Sequence, residues 1–354
     1  MIKYRDFNAL LETQASGAAP ETEAGLFGSP FNNEEANLVI LGIPWDATCS
    51  YGRGSALTPK SISKVSHQLD LSDDFFGNTY RARISLDESL FEIAESNQSA
   101  TEAAVKMREH ATDETQLKTV NRLSAKVHKK IEERAVSILA SGKIVGVLGG
   151  EHSCPYGLMK ALTQNHDDFG VLHVDAHFDL RKAYEGITHS HASIFYNAIN
   201  DLPQISSLVQ VGIRDFSKDE WDFSQSNKRC HAFLASEMFR DQARGLSFAE
   251  LATKIVQKLP QKIYVSFDID GLDPSYCPNT GTPVPGGLSF AEACYLLEEI
   301  CRQKKTVIGF DLCEAVPGDK SDWDLNVAAR ILYKLCGTVY KSQQEFFEAR
   351  NKNA

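Results

Sequence analysis

Short apolar runs recur along the chain with helix-like spacers between them, at Asn37–Gly42, Lys143–Leu148, Gly170–Val174, Leu208–Ile213, Lys262–Phe267 and Thr306–Phe310. Strands that alternate with helices predict a parallel sheet covered on both faces. Leu123, Val127, Ile131, Ala135 and Ile138 fall at helical spacing before a stop at Gly142, and Phe290–Cys301 repeats that periodicity. Residues 1–36, with a Gly/Ala/Pro/Glu stretch at 16–25, read as an N-terminal extension. Residues 73–116 are acidic, polar and helical in composition and read as a surface insertion. Residues 341–354 read as a C-terminal tail, which leaves 37–340 as the main domain.

With 354 residues and 42% hydrophobic content, the chain has ample material for a large α/β core. It holds no run of about 18 apolar residues, so no membrane span is expected. Met1–Asp6 lacks the apolar stretch of a secretion signal, so a cytoplasmic location is expected. A net charge of -10 argues against nucleic acid or an anionic membrane as a partner. Eight cysteines without a CxxC pair suggest reduced thiols; Cys154 and Cys313 read as small core residues.

Three signatures each follow an apolar run. They are Gly149-Gly150-Glu151-His152-Ser153, Asp175-Ala176-His177-Phe178-Asp179 and the segment Ser266–Pro274, which carries Asp268 and Asp270. In open parallel sheets, sites form beyond the carboxyl ends of the strands. Side chains two apart on a strand share a face. Persisting extended geometry would therefore aim Asp175, His177 and Asp179 one way, and Asp268 with Asp270 likewise. Four carboxylates carry a charge that two divalent cations neutralise; alone, such like charges raise their own pKa values. Oxygen donors with two nitrogens favour manganese over magnesium, iron, nickel or cobalt, and disfavour a sulfur-rich zinc site. One such signature alone is as easily a turn cluster. Three in order, each after a strand, are not.

These motifs resemble the ureohydrolase family of arginases, agmatinases and formimidoylglutamases, over roughly residues 37–336. The resemblance implies a three-layer α/β/α catalytic domain with a central, mostly parallel sheet of about eight strands. It implies two manganese ions per chain, with nickel or another divalent cation as the alternative. By position, His152, Asp175, Asp179 and Asp268 hold one ion; Asp175, His177, Asp268 and Asp270 hold the other. His191 matches the family's catalytic loop histidine, and Glu314 matches its guanidinium-binding glutamate. Asp270 is expected to help move a proton, and His191 to protonate the leaving amine from an ordinary pKa of about 6.5. Homotrimers or hexamers are also implied. The chain departs from the family at Ala192, where Gly is usual, and at Tyr51-Gly52-Arg53-Gly54-Ser55, where Arg-Pro-Gly is usual.

Substrate signals conflict. Segment Leu180–Gly186 lacks the Asn/Ser pattern that arginases use for an α-amino acid. Arg181 and Lys182, if turned into the pocket, favour an anionic formimino substrate and oppose a dication such as agmatine. The His191 loop instead favours a guanidino compound, and Trp45 and Tyr51 are expected to narrow the pocket, even to guanidine itself. The expected activity is an agmatinase-type release of urea and an amine. Alternatives are a formimidoylglutamase, a guanidine hydrolase, a silent metal-binding relative and a single-zinc deacetylase. His173 reads as a support for Asp175, and His189 as a loop or interface residue.

Overall fold

The computed structural model describes residues 7–21, 24–109 and 113–352. Eight strands form one sheet: β1 (Leu38–Gly42), β2 (Ile84–Asp87), β3 (Ile144–Leu148), β4 (Phe169–Val174), β5 (Ile205–Ile213), β6 (Cys230–Leu234), β7 (Lys262–Asp268) and β8 (Thr306–Cys313). Their order is β2-β1-β3-β8-β7-β4-β5-β6, and every pairing is parallel. Helices cover both faces. Glu114–Ala140 packs on Ile93–Glu109 and Tyr156–Leu162, while Trp323–Ser342 packs on Thr58–Ser66 and Phe290–Arg302. Burial on both sides explains why β1, β3 and, but for His173, β4 are apolar rather than alternating. Among the described residues, no helix is long and apolar enough to cross a membrane. All eight cysteines are free thiols, and all but Cys301 are buried.

The segment 73–116 is more than a helical insertion. It supplies β2, the edge strand beside β1, and the helix Ile93–Glu109, which buries Ile93, Ala100, Ala103, Ala104 and Met107. A contact face built largely of alanines registers weakly as apolar, and Ser85 and Asp87 break the pattern of β2. The N-terminal extension is likewise part of the core: Leu26, Phe27 and Phe31 are buried, with Phe27 edge-on to Tyr333 at 4.9 Å. The C-terminal tail is a packed helix, Gln344–Lys352, that buries Phe347 completely. Its Arg350 donates to Asn37 Oδ1 at 2.9 Å and to Gly142 O at 2.6 Å. The other unread strand, β6, is a sheet edge on which only Cys230 is fully buried.

Gly150 governs how the site forms. A Cβ there would stand 2.1 Å from Trp45 O, so only glycine lets the turns after β1 and β3 meet backbone to backbone. Gly150 N donates to Ile43 O at 2.9 Å and Glu151 N to Trp45 O at 2.8 Å, which fixes the peptide that carries His152. Trp45 is itself fully buried in the core and does not wall the pocket as expected.

His128, on the inner side of Glu114–Ala140, packs against the rings of Tyr156 and His189 at 5.4 and 4.9 Å. Burial, with the neighbouring His189 behind it, lowers its pKa to about 3. Below its unfolded value of about 6.5, the unfolded chain takes up a proton that the folded one refuses. This contribution to stability is therefore present above that value and lost as pH falls toward the folded one. His128→Leu should flatten the drop in melting temperature between about pH 6.5 and 4.5 relative to wild type. Parallel curves for the two proteins would refute the assignment.

Candidate metal centre

The order β3-β8-β7-β4 puts four carboxyl ends side by side. They deliver His152, Glu314, the pair Asp268 and Asp270, and the trio Asp175, His177 and Asp179. Extended geometry does not bring these groups together, because β4 stops at Val174 and the chain turns. Asp179 lies at φ 53° and Glu314 at φ 64°, a left-handed region that costs a non-glycine residue free energy. Asp268 instead caps the turn Ile269–Gly271, accepting from Asp270 N at 2.8 Å. Convergence is thus achieved by turns at the strand ends. Arg214 holds one of these turns, donating to Asp270 O at 2.6 Å and to Val284 O at 2.9 Å.

The six expected ligands meet in two groups. His152 Nδ1 lies 3.0 Å from Asp175 Oδ2 and 3.3 Å from both Asp179 Oδ2 and Asp268 Oδ2. His177 Nδ1 lies 3.4 Å from Asp175 Oδ1 and 3.2 Å from Asp270 Oδ2. Asp175 therefore faces one group with each oxygen. Asp268 joins the first group with Oδ2, while its Oδ1 takes the Asp270 amide rather than facing the second group.

Hydrogen bonds behind the ligands fix which nitrogen each imidazole presents. Ser266 Oγ donates to Asp311 Oδ2 at 2.7 Å, so it accepts from His152 Nε2 at 2.9 Å. That leaves the lone pair of His152 Nδ1 turned to the three carboxylates. Gln210 Nε2 donates to His173 Nδ1 at 2.9 Å, so His173 Nε2 carries the proton it gives Asp175 Oδ2 at 2.7 Å. His173 consequently steadies the shared carboxylate, as expected.

The electrostatics match a cation site. Burial, followed by repulsion from Asp270 and Asp175, holds Asp268 well above the usual carboxylate range. Burial and then Asp175 lift Asp179 to about 7. Burial alone would push the His177 imidazole down, but Asp270 and Asp175 carry it up to about 12. Protons are thus shared among groups whose donor atoms suit divalent ions: four buried carboxylates, the buried His152 and the partly exposed His177. Cations replace those protons, so binding weakens as pH falls.

The centre opens into a cavity of about 440 Å³ lined by His152, His177, Asp179, Asp268, His191 and Glu314, and also by Arg181, Tyr184, the buried Glu220 and the exposed Tyr51 and Asp215. Glu314 Oε1 accepts from His152 N at 2.9 Å. Tyr51 is 83% exposed and leaves the mouth open. Arg181 lines the cavity, but it is not a free cation: its Nε lies 3.3 Å from Glu220 Oε2 and its guanidinium stacks on Tyr184 at 4.6 Å. Lys182 is exposed and off the cavity. Sequence reasoning did not assign roles to Glu220, Asp215, Arg214 or Thr48, and spacing carried no signal for them. Ser266 and Asp311 stood within its motifs without a role.

A sequence profile described as "Arginase family" matches residues 36–337. This chain belongs to the arginase family. It is 33% identical over 305 residues to an N(1)-aminopropylagmatine ureohydrolase of Thermus thermophilus, a match spanning 86% of this chain and 90% of that one. It is 29% identical to an agmatinase of Bacillus subtilis, over 85% of this chain and 91% of the relative. The crystal structure of agmatine ureohydrolase of Thermoplasma volcanium superposes with a TM-score of 0.68 at 25% identity, covering 90% of this chain and 94% of that one. The arginase fold and its binuclear divalent-metal site thus agree with the two groups gathered around Asp175.

Elemental analysis should find two divalent cations per wild-type chain after dialysis against manganese. Asp175→Ala, which removes an oxygen from each group, should bind fewer than about one. Retention of both ions in that variant would contradict a shared ligand.

Proposed function

We propose that this centre, loaded with two manganese ions, hydrolyses the guanidino group of a compound bearing a second, cationic group, and so releases urea and an amine. The supporting observation is one cavity in which a two-group metal site faces Glu314 and whose rim carries the exposed Asp215. His152, Asp175, Asp179 and Asp268 would hold one ion, and Asp175, His177 and Asp270 the other, which Asp268 would join only by turning Oδ1 away from the Asp270 amide. The chain is a hydrolase of amidino C–N bonds.

Bound cations supply Lewis acidity, which brings the pKa of water down toward neutrality. Burial, with repulsion from Glu151 next, raises the Glu314 carboxyl well above its usual range. An arriving guanidinium offsets that penalty, so Glu314 aligns the planar group by a charge-assisted pair. Asp270 has Oδ1 held by the Ala176 amide at 3.0 Å, so Oδ2, the oxygen it turns to His177, would both hold an ion and help to move a proton. His191 hands a proton to the leaving amine. The expectation of an ordinary histidine pKa is corrected here: burial, then His177, Arg108 and Arg181, lower His191 to about 3. The resting imidazole is neutral, so the proton it delivers is one collected during the reaction.

The mouth favours a cationic tail. Glu220 already neutralises Arg181, which removes the basis for an anionic formimino substrate. Asp215 stands exposed on the rim, and Tyr51 offers an aromatic face suited to an ammonium or alkyl tail. The open cavity exceeds what guanidine alone needs. The second metal group argues against a single-zinc deacetylase.

Urea release from agmatine and longer guanidinoalkylamines should exceed, in kcat/KM, urea release from arginine or guanidine and formamide release from formiminoglutamate. Preference for formiminoglutamate or guanidine would overturn this substrate class. Glu314→Gln should lower kcat/KM by at least about 30-fold, since breaking a buried charge pair costs about 2–5 kcal/mol. Unchanged kcat/KM would remove Glu314 from guanidinium binding.

A further inference from the structure

The loop after β1 departs from its family at Gly52-Arg53-Gly54, and the structure shows what the departure builds. A Cβ on Gly52 would stand 2.7 Å from Gly281 O, so this loop lies flat on the loop that follows β7. Arg53 turns inward instead of toward the cavity, donating to Thr101 Oγ1 and Cys49 O, each at 3.2 Å. Arg108, from the same helix as Thr101, donates to Thr48 O at 3.1 Å. Asn97 of that helix takes the Asp46 amide at 2.8 Å and gives a bond back to Asp46 Oδ1 at 2.9 Å. The peptide that carries Thr48 is therefore gripped from behind.

From inside it is gripped by Glu151, which is fully buried. Glu151 Oε2 accepts from Thr48 N at 2.8 Å, and Oε1 accepts from Thr48 Oγ1 at 2.7 Å and Ser153 Oγ at 2.8 Å. Burial raises Glu151 to about 7, while every one of these close partners is a donor; in its ionised form the carboxylate directs the single hydroxyl proton of Thr48 toward itself. The Thr48 oxygen is then an acceptor only. It receives the His191 amide at 3.0 Å and lies 3.2 Å from His191 Nδ1. An acceptor at that distance selects the tautomer with the proton on Nδ1. It leaves the Nε2 lone pair as the nitrogen available to a ligand in the cavity.

Building on the role given to His191 above, we propose that Glu151 and Thr48 form a positioning relay that fixes the ring orientation and tautomer of His191. Neither residue touches the substrate. Glu151 sets the direction of the Thr48 hydroxyl, and the hydroxyl sets the imidazole. When Nε2 takes up a proton, Thr48 keeps its bond to Nδ1, so the ring presents Nε2–H to the leaving amine without turning.

The test uses the full chain with both cations, comparing Thr48→Val and Thr48→Ser with wild type on the preferred guanidino substrate. Valine keeps the shape and the backbone bond to Glu151 but loses the hydroxyl. Thr48→Val should lower kcat by about tenfold or more, part of the 10²–10⁴-fold that general acid–base catalysis supplies. KM should stay within about twofold and metal content should be unchanged, whereas Thr48→Ser should keep about half of kcat or more. A wild-type kcat in Thr48→Val, or an equal loss in Thr48→Ser, would overturn the relay. Nitrogen NMR of histidine-labelled protein provides a readout without turnover, with the His191 signals assigned from their loss in His191→Asn. Wild type should show a protonated Nδ1 and bare Nε2, and Thr48→Val a mixture. The opposite tautomer in wild type would sink the relay without any variant having to fold. Full activity in His191→Asn would overturn the catalytic role of His191, while the nitrogen spectra would still decide whether Thr48 fixes its ring.

Discussion

Four carboxylates crowded out of water at the ends of two neighbouring strands are the constraint around which this structure is arranged. Asp175, Asp179, Asp268 and Asp270 sit close enough that burial and mutual repulsion lift Asp268 and Asp179 from their usual range. Such a group is tolerable only where positive charge stands among its oxygens. His152 and His177 occupy the middle of the two clusters, and their donor atoms suit divalent cations. The surrounding fold acts on this same problem. Ser266 and Asp311 orient one imidazole, His173 and Gln210 brace the shared carboxylate, and Arg214 ties down the turn that carries Asp270.

Placement depends on backbone contacts that few side chains permit. Gly150 lets two turns meet where any Cβ would collide with Trp45 O, and Gly52 does the same against Gly281. Around them, Asn97, Thr101 and Arg108 of the helix Ile93–Glu109 hold the loop from outside, Thr101 by accepting from the loop's own Arg53. The strain of Asp179 and Glu314 in the left-handed region is borne by this framework. On the proposed reading, the arrangement would separate two tasks: a floor for cations and guanidinium, and a mouth that selects the tail.

Six of the eight strands were legible because burial on both faces keeps their runs mainly apolar, with single polar breaks such as His173, Gln210 and Ser266. β2 and β6 were not: β2 is only four residues long and Ser85 and Asp87 interrupt it, while β6 is mostly half-buried and carries His231. The ligands were legible because their residue types recur at strand ends in three separate places. Their geometry was not: alternation along a strand was the wrong reason for the right convergence, which comes from turns after Val174 and at Asp268. Arg181 illustrates the limit of reading charge from sequence. Its partner Glu220 lies 39 residues away, so the cation that argued for an anionic substrate is already spent. Thr48 lay deeper still, because a single threonine carries no pattern until Glu151 and His191 are seen on either side of it.

Anomalous diffraction from crystals grown with manganese addresses the central claim most directly. Two peaks about 3.5–4 Å apart, with Asp175 contacting both, are the expected result. A single peak, or two ions with Asp175 turned away from either, would contradict a charge-sharing carboxylate at the heart of the site.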